Sequence, residues 1–247
     1  SMNHMAASLA SLDGLRREFI ASASHELRAP LSAIRGFLEA LQDGTAASDE
    51  ERQRCLAGAA AEAQRMTRLV EDLLQLSRLQ AGVLEFEFAP TDLHALVEGV
   101  VGSFEPRLRQ RGVQARLEAD ETPPVVADGE RLVQVLVNLL DNALRYSPEG
   151  STITVRVDRD ILDRPLDRPS GGPGSPAPCG VAVSVSDEGP GIPEADLAVI
   201  FERFHKADPA RQVGDQGAGL GLAIAREIVL RHGGEVIARN REEGGAE

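Results

Sequence analysis

The chain has few cysteines, no long apolar run and few basic residues, and each shortage argues against a class of protein. Its only two cysteines, Cys55 and Cys179, match no zinc-site spacing and no disulfide framework, so we expect two free thiols. No apolar run approaches the roughly 20 residues needed to span a bilayer. Basic residues are outnumbered, with 26 Lys and Arg against 39 Asp and Glu, a net charge of -13. This balance disfavours nucleic-acid and anionic-membrane binding, so an anionic ligand needs a local site.

The first third of the chain predicts a helical hairpin. Apolar residues recur at three- and four-residue steps over residues 7–41, the pattern of one helix face. A break at Asp43 and Gly44 precedes a second helix, which opens with Ser48 and Glu51 in capping-box spacing and ends at Gly82. Such a hairpin cannot cover its own apolar stripe. We therefore expect it to dimerise into a four-helix bundle.

Beyond Pro90 the pattern changes to alternating helices and strands, which predicts a second domain of the α/β class. Helices are expected over residues 91–112, 130–146 and 222–232, and strands over residues 113–118, 152–157, 181–186 and 235–239. The strands 152–157 and 181–186 could pair as neighbours. Between them, residues 164–180 are rich in Pro, Gly and Ser and predict a surface connection. The predicted domains are residues 1–81 and 91–247.

Three short segments of the second domain suit a nucleotide. Asn138 and Asn142 share one helix face, where amide oxygens could help hold Mg²⁺, although the same pair would also serve as a structural bridge. Asp187 follows a strand directly and could accept a hydrogen bond from an adenine amino group; a simple turn is the alternative. Gly219 and Gly221 precede a helix, whose free N–H groups could bind phosphate. Each signal alone is weak.

Together with the segment Phe201-Glu202-Arg203-Phe204, they resemble the N, G1, F and G2 boxes of the GHKL (Bergerat) ATP-binding domain. Histidine kinases, type II topoisomerases, Hsp90 chaperones and MutL-type ATPases share this domain. The resemblance covers residues 91–247 and implies an α/β sandwich, with helices over one face of a mixed sheet and a mobile lid between the F and G2 boxes. It implies that Asn142 binds Mg²⁺ with help from Asn138, and that Asp187 recognises the adenine of ATP. Further nucleotide contacts are implied for Arg145, Tyr146, Gly189, Gly191, Phe204, Gly217, Gly219, Leu220 and Gly221.

The first helix carries the sequence Ser-His-Glu-Leu-Arg-Ala-Pro-Leu at residues 24–31, which resembles the H-box of dimeric histidine kinases. The resemblance makes His25 the phosphoacceptor. Glu26 can orient its ring and accept its proton, and Lys206 sits where a kinase lid presents a cation to the γ-phosphate. Pro30 removes a backbone donor and should bend the helix after the acceptor, unless it is merely tolerated.

Asn138 also helps to distinguish the ATP-hydrolysing members of this superfamily from the kinases. Its ATP-hydrolysing members carry a glutamate there that activates water, and an asparagine cannot act as that base. The γ-phosphate is therefore spared for His25. The chain resembles the catalytic core of a two-component sensor histidine kinase, which implies transfer from MgATP to His25 and then to a response-regulator receiver aspartate. The alternatives are an ATPase that drives conformational change and a scaffold that binds nucleotide without turnover.

Two further expectations follow from the resemblance. Kinases that also dephosphorylate their regulator usually carry Thr or Asn four residues after the histidine, where this chain has Ala29. We expect a competent kinase and a poor phosphatase. The chain is expected to be cytoplasmic, with any membrane attachment supplied by a segment upstream of it.

Overall fold

The computed structural model describes residues 2–119, 122–160, 180–206 and 217–247. Helix α1 (Met2–Gln42) and helix α2 (Asp49–Gln80) form the predicted antiparallel hairpin. The capping box is confirmed: the Ser48 hydroxyl accepts from the Glu51 N–H at 3.2 Å, and the Glu51 carboxylate accepts from the Ser48 N–H at 3.0 Å. Helix α1 starts five residues before the predicted position and contains Pro30. None of the described helices has a stretch both long and apolar enough for a bilayer.

The second part of the chain alternates strands and helices, as predicted. Its elements are β1 (Ala89–Thr91), α3 (Leu93–Arg111), β2 (Gln114–Ala119), β3 (Val125–Ala127), α4 (Gly129–Tyr146), β4 (Thr152–Asp160), β5 (Gly180–Ser186), α5 (Glu194–Leu197) and α6 (Gly221–Arg231). Strand β4 pairs in parallel with β2 and antiparallel with β5, which makes a mixed sheet. The predicted pairing of residues 152–157 with 181–186 is confirmed, with Val157 opposite Val183.

Three sequence expectations need correction. Thr91 belongs to β1, and α3 begins after Asp92, whose carboxylate caps it by accepting from the Ala95 N–H at 3.1 Å. The short strands β1 and β3 and the one-turn helix α5 were not predicted. Residues 235–239 do not form a strand, since only Arg239 and the bridge at Asn240 pair with the segment after them. The predicted surface connection, Cys179 and most of the predicted lid lie outside the described residues.

Two apolar cores organise the molecule. The first lies between α3, α4 and the inner face of the sheet, with Ile153, Val155 and Val157 of β4 fully buried. The second joins the base of the hairpin to α6 and the neighbouring face of α4. Its fully buried members include Leu79 of α2 and Ile224 and Ile228 of α6. This second core packs the second domain against the hairpin.

Candidate nucleotide and phosphoacceptor site

Asp187 lies at the end of β5 with only 7% of its surface exposed. Its Oδ1 atom accepts hydrogen bonds from the Gly189 N–H at 2.8 Å and the Ala246 N–H at 3.2 Å. No described residue donates to Oδ2. One carboxylate oxygen therefore accepts from these two backbone groups, and the other is available to accept a hydrogen bond from a ligand such as an adenine amino group.

The F and G2 boxes are in direct backbone contact. The Phe204 N–H donates to the Gly219 carbonyl at 2.9 Å. Phe204 has a φ of 60°, and Gly219 a φ of 72°. A Cβ on Gly219 would lie 2.7 Å from the His205 carbonyl oxygen, so glycine is required both by the backbone conformation and by the close approach.

The two asparagines of α4 differ in their hydrogen bonds. The Asn138 amide nitrogen donates to the Gly221 carbonyl at 3.0 Å, which ties α4 to the start of α6. This is the structural bridge that was one interpretation of the sequence, and it leaves the Asn138 amide oxygen as the atom available to a ligand. The half-buried Asn142 side chain makes no hydrogen bond to any residue that the structure describes. Its oxygen is free to bind a metal ion.

The start of α6 offers unpaired N–H groups. Among the described residues no side chain caps this helix, whereas Ser48, Asp92 and Asp128 cap α2, α3 and α4. Its first N–H groups are therefore available to an anion. Leu220 is fully buried in the second core and presents no surface to a nucleotide in this structure.

The remaining residues implied for nucleotide binding connect the boxes. The Arg145 guanidinium packs against Gly217, and the Tyr146 carbonyl packs against Gly189. The Tyr146 side chain is 41% exposed. The end of α4 thus contacts both the G1 and G2 glycines, and all four predicted segments converge on one region. Gly191, by contrast, packs against Asn240, which the sequence did not single out.

An ion pair joins the hairpin to this region. The Lys206 ammonium lies 2.6 Å from Glu26 Oε2, and the two side chains are 22% and 19% exposed. His25, one residue earlier on α1, is exposed and makes no hydrogen bond or ion pair with a described residue. The three residues predicted for catalysis therefore lie together, with Lys206 paired to Glu26 and the imidazole accessible.

Sequence reasoning missed a second polar contact between the two parts of the chain. The side-chain amides of Gln75 on α2 and Gln134 on α4 each donate to the other, with the Gln134 nitrogen 2.6 Å from the Gln75 oxygen. Arg231 of α6 also donates to the Leu79 carbonyl. No motif marks these residues, because each pairing depends on how two separately formed units dock.

Two family models match the chain. The His Kinase A (phospho-acceptor) domain matches residues 15–82, and the model described as histidine kinase-, DNA gyrase B- and HSP90-like ATPase matches residues 127–247.

Curated relatives agree with these models. Signal transduction histidine-protein kinase BaeS of Escherichia coli is 36% identical over 98% of this chain and 48% of its own length. Sensor histidine kinase WalK of Bacillus subtilis is 37% identical over 94% of this chain and 35% of its own. The chain therefore spans between a third and a half of these relatives.

Solved structures show the same architecture. Acinetobacter baumannii histidine kinase AdeS aligns with a TM-score of 0.65 and 28% identity over 90% of this chain and 93% of that one. Full-length ShkA in complex with AMPPNP aligns at 0.61, with 29% identity over 93% of this chain and 44% of that one. Histidine kinase ThkA in complex with response regulator protein TrrA aligns at 0.62, with 27% identity over 93% and 59%.

Proposed function

Given that this chain belongs to the sensor histidine kinases of two-component systems, we propose that it transfers the γ-phosphoryl group of ATP to His25 and then to a receiver aspartate of a response regulator. In this proposal residues 1–81 supply the phosphoacceptor hairpin and residues 91–247 the ATP-binding domain.

One observation carries the proposal. Lys206 and Glu26 are 180 residues apart in sequence, and their side chains are in contact at 2.6 Å. This contact brings the end of the nucleotide site against the helical turn that presents His25. A site of this kind can deliver a phosphoryl group to the hairpin, whereas an ATPase has no need of an exposed imidazole there.

The bonds that form and break in the phosphoryl transfer belong to ATP and to side chains of this chain. An imidazole nitrogen of His25 bonds to the γ-phosphorus, the bond from phosphorus to the β–γ bridging oxygen breaks, and ADP leaves with the electron pair. Glu26 accepts the proton that the imidazole loses. The Lys206 ammonium occupies the Glu26 carboxylate in the structure, so Lys206 must leave Glu26 as the γ-phosphate arrives. Lys206 then contributes its charge to the transferring group.

Mg²⁺ fits the donor set of this chain. The described residues contain no cluster of three or more His, Cys, Asp or Glu side chains able to hold a metal ion. Mg²⁺ usually takes most of its ligands from water and substrate phosphates, so the free Asn142 amide oxygen, helped by that of Asn138, is a sufficient protein contribution. When bound, the ion would neutralise charge on the phosphates.

A homodimer would cover the apolar surface that the hairpin leaves exposed. On α1, Ile20, Leu31 and Leu38 are spaced by 11 and 7 residues, close to whole helical turns, and are 55%, 57% and 45% exposed. On α2, Leu56 and Leu74 stand five turns apart and are 56% and 53% exposed. Each set lies on one face of its helix, which is the pattern of a four-helix bundle formed by two hairpins.

The proposal is tested by incubating the chain with γ-labelled ATP and Mg²⁺, followed by denaturing electrophoresis. We expect label on the protein that is lost in acid and kept in base, as a phosphoramidate should be, and no label on His25→Gln. Inorganic phosphate released without labelled protein would instead indicate an ATPase. Addition of a cognate receiver domain should move the label to that domain.

A further inference from the structure

Residues 240–247 lie against the loop that follows β5. The Asn240 side chain accepts from the Ile192 N–H at 2.7 Å and donates to the Ile192 carbonyl at 2.7 Å. One amide group thus pairs with both backbone groups of a single residue, as a neighbouring strand would. A Cβ on Gly191 would lie 2.8 Å from the Asn240 oxygen, so loop and side chain are in close contact.

The same segment holds the other end of the loop at Asp187. The Asp187 N–H donates to the Ala246 carbonyl at 2.9 Å, and the Ala246 N–H donates to Asp187 Oδ1 at 3.2 Å. Arg241 donates to the Asp187 carbonyl at 3.0 Å. Gly245 has a φ of 88°, and a Cβ there would lie 1.9 Å from the Asp187 carbonyl oxygen, so only glycine permits this approach.

The loop between these two ends contains Gly189 and Gly191, and glycines impose few limits on backbone conformation. The direction of the free Asp187 Oδ2 therefore depends on the contacts that hold the loop from outside. At the Asp187 end, three of those contacts are made by backbone groups or by Arg241 to a carbonyl. At Ile192, the two hydrogen bonds that described residues make from outside the loop both come from the Asn240 side chain.

We infer that Asn240 is a positioning residue for adenine recognition, acting through Asp187 by fixing the loop at Ile192. The inference rests on the proposed role of Asp187 in accepting a hydrogen bond from the adenine amino group. Without Asn240 the loop keeps its anchor at Asp187 but gains freedom beyond it. The carboxylate then spends less time in the orientation that the amino group requires.

The test uses two nucleotides that differ only in that amino group: ADP and purine riboside 5′-diphosphate, which carries hydrogen in its place. Calorimetric dissociation constants are measured with Mg²⁺ for the full chain, Asn240→Ala, Asp187→Asn and the double variant. The exposed Glu242→Ala in the same turn is the matched control. Diphosphates are chosen because they cannot phosphorylate the protein during the titration.

We expect Asn240→Ala to weaken ADP binding by about fivefold, the effect of roughly one net hydrogen bond, and to leave the purine riboside nucleotide unchanged. The double variant should bind ADP no more weakly than Asp187→Asn, and Glu242→Ala should match the unmodified chain. Equal weakening of both nucleotides by Asn240→Ala, or effects that add in the double variant, would overturn the inference.

The inference and the proposed role of Asp187 fail in different ways. If Asp187→Asn distinguishes the two nucleotides and Asn240→Ala does not, Asn240 has no part in adenine recognition and the role of Asp187 stands. If Asp187→Asn itself affects both nucleotides alike, the adenine contact is wrong and the inference falls with it.

Discussion

Glu26→Gln should bind ATP more tightly than the unmodified chain while phosphorylating itself more slowly. In the structure Glu26 holds Lys206, the cation proposed to meet the γ-phosphate. ATP must separate this pair before it can use Lys206. Glutamine keeps the size of the side chain and removes its charge, so it frees Lys206 for the nucleotide and removes the proposed base from His25.

The size of the gain follows from the exposure of the pair. With side chains 22% and 19% exposed and a separation of 2.6 Å, the pair lies between a surface ion pair and a buried one. An ion pair at the surface stabilises a protein by up to about 1 kcal/mol. Breaking a buried ion pair costs more free energy, although the desolvation penalty of burying the charges offsets part of what such a pair contributes. For separating Lys206 from Glu26 we take a free energy of about 1 kcal/mol, which corresponds to about a fivefold change in the dissociation constant of ATP.

Calorimetry on Glu26→Gln, with ATP and separately with ADP, provides the assay. ADP has no γ-phosphate and does not require Lys206, so its affinity should not change. Glu39→Gln, which removes the partner of Arg35 on the same helix, is the control for loss of charge. In Lys206→Met the effect of Glu26→Gln on ATP should disappear. Unchanged ATP affinity in Glu26→Gln, or equal gains for ATP and ADP, would refute the reasoning.

Three further outcomes are expected. Asn142→Ala should reduce Mg²⁺-dependent labelling at least tenfold, as about 1.4 kcal/mol of lost phosphate and metal positioning implies, and full labelling would exclude a metal role. Ala29→Thr should speed the decay of phosphorylated regulator in the presence of ADP, and strong phosphatase activity in the unmodified chain with no gain in Ala29→Thr would contradict the proposed cause. Burial, reinforced by the Glu71 carboxylate, raises the pKa of Asp72 from 3.8 to about 6, so the folded hairpin holds this proton more tightly than the unfolded chain does. The contribution of Asp72 to stability against urea should therefore fall as pH rises from 4 to 6. With allowance for the partial exposure of this side chain, Asp72→Asn should restore on the order of 2 kcal/mol at pH 8. Equal transition midpoints of the two proteins at pH 8 would show that Asp72 is not desolvated.

The sequence allowed most of the fold to be predicted where the pattern is local. The capping box at Ser48, the end of α3 before Gly112 and the alternation in β4 and β5 each depend on a few neighbouring residues. The short strands β1 and β3 carry no such pattern, because three residues are too few to show alternation. Residues 235–239 alternate like a strand but find little partner surface among the described residues, so propensity alone was misleading.

For the candidate site, too, local patterns could be predicted from the sequence and tertiary contacts could not. Its residue types and their order indicated a nucleotide pocket, since Asn138 lies on a helix, Asp187 directly follows a strand and Gly219 directly precedes a helix. The contacts between those segments depend on tertiary packing. Neither the hydrogen bond from Asn138 to Gly221 nor the ion pair from Lys206 to Glu26 could be predicted, because their partners are 83 and 180 residues apart.

The central claim is that His25 receives the phosphoryl group, and the most direct test is to locate that group. The chain has five histidines, so His4, His94, His205 and His232 serve as internal controls for His25. After incubation with MgATP, tandem mass spectrometry of peptides prepared at neutral to basic pH should place the phosphoryl group on the peptide containing His25 and on no other. A phosphoryl group on another histidine, or on a serine, threonine or aspartate, would contradict the account.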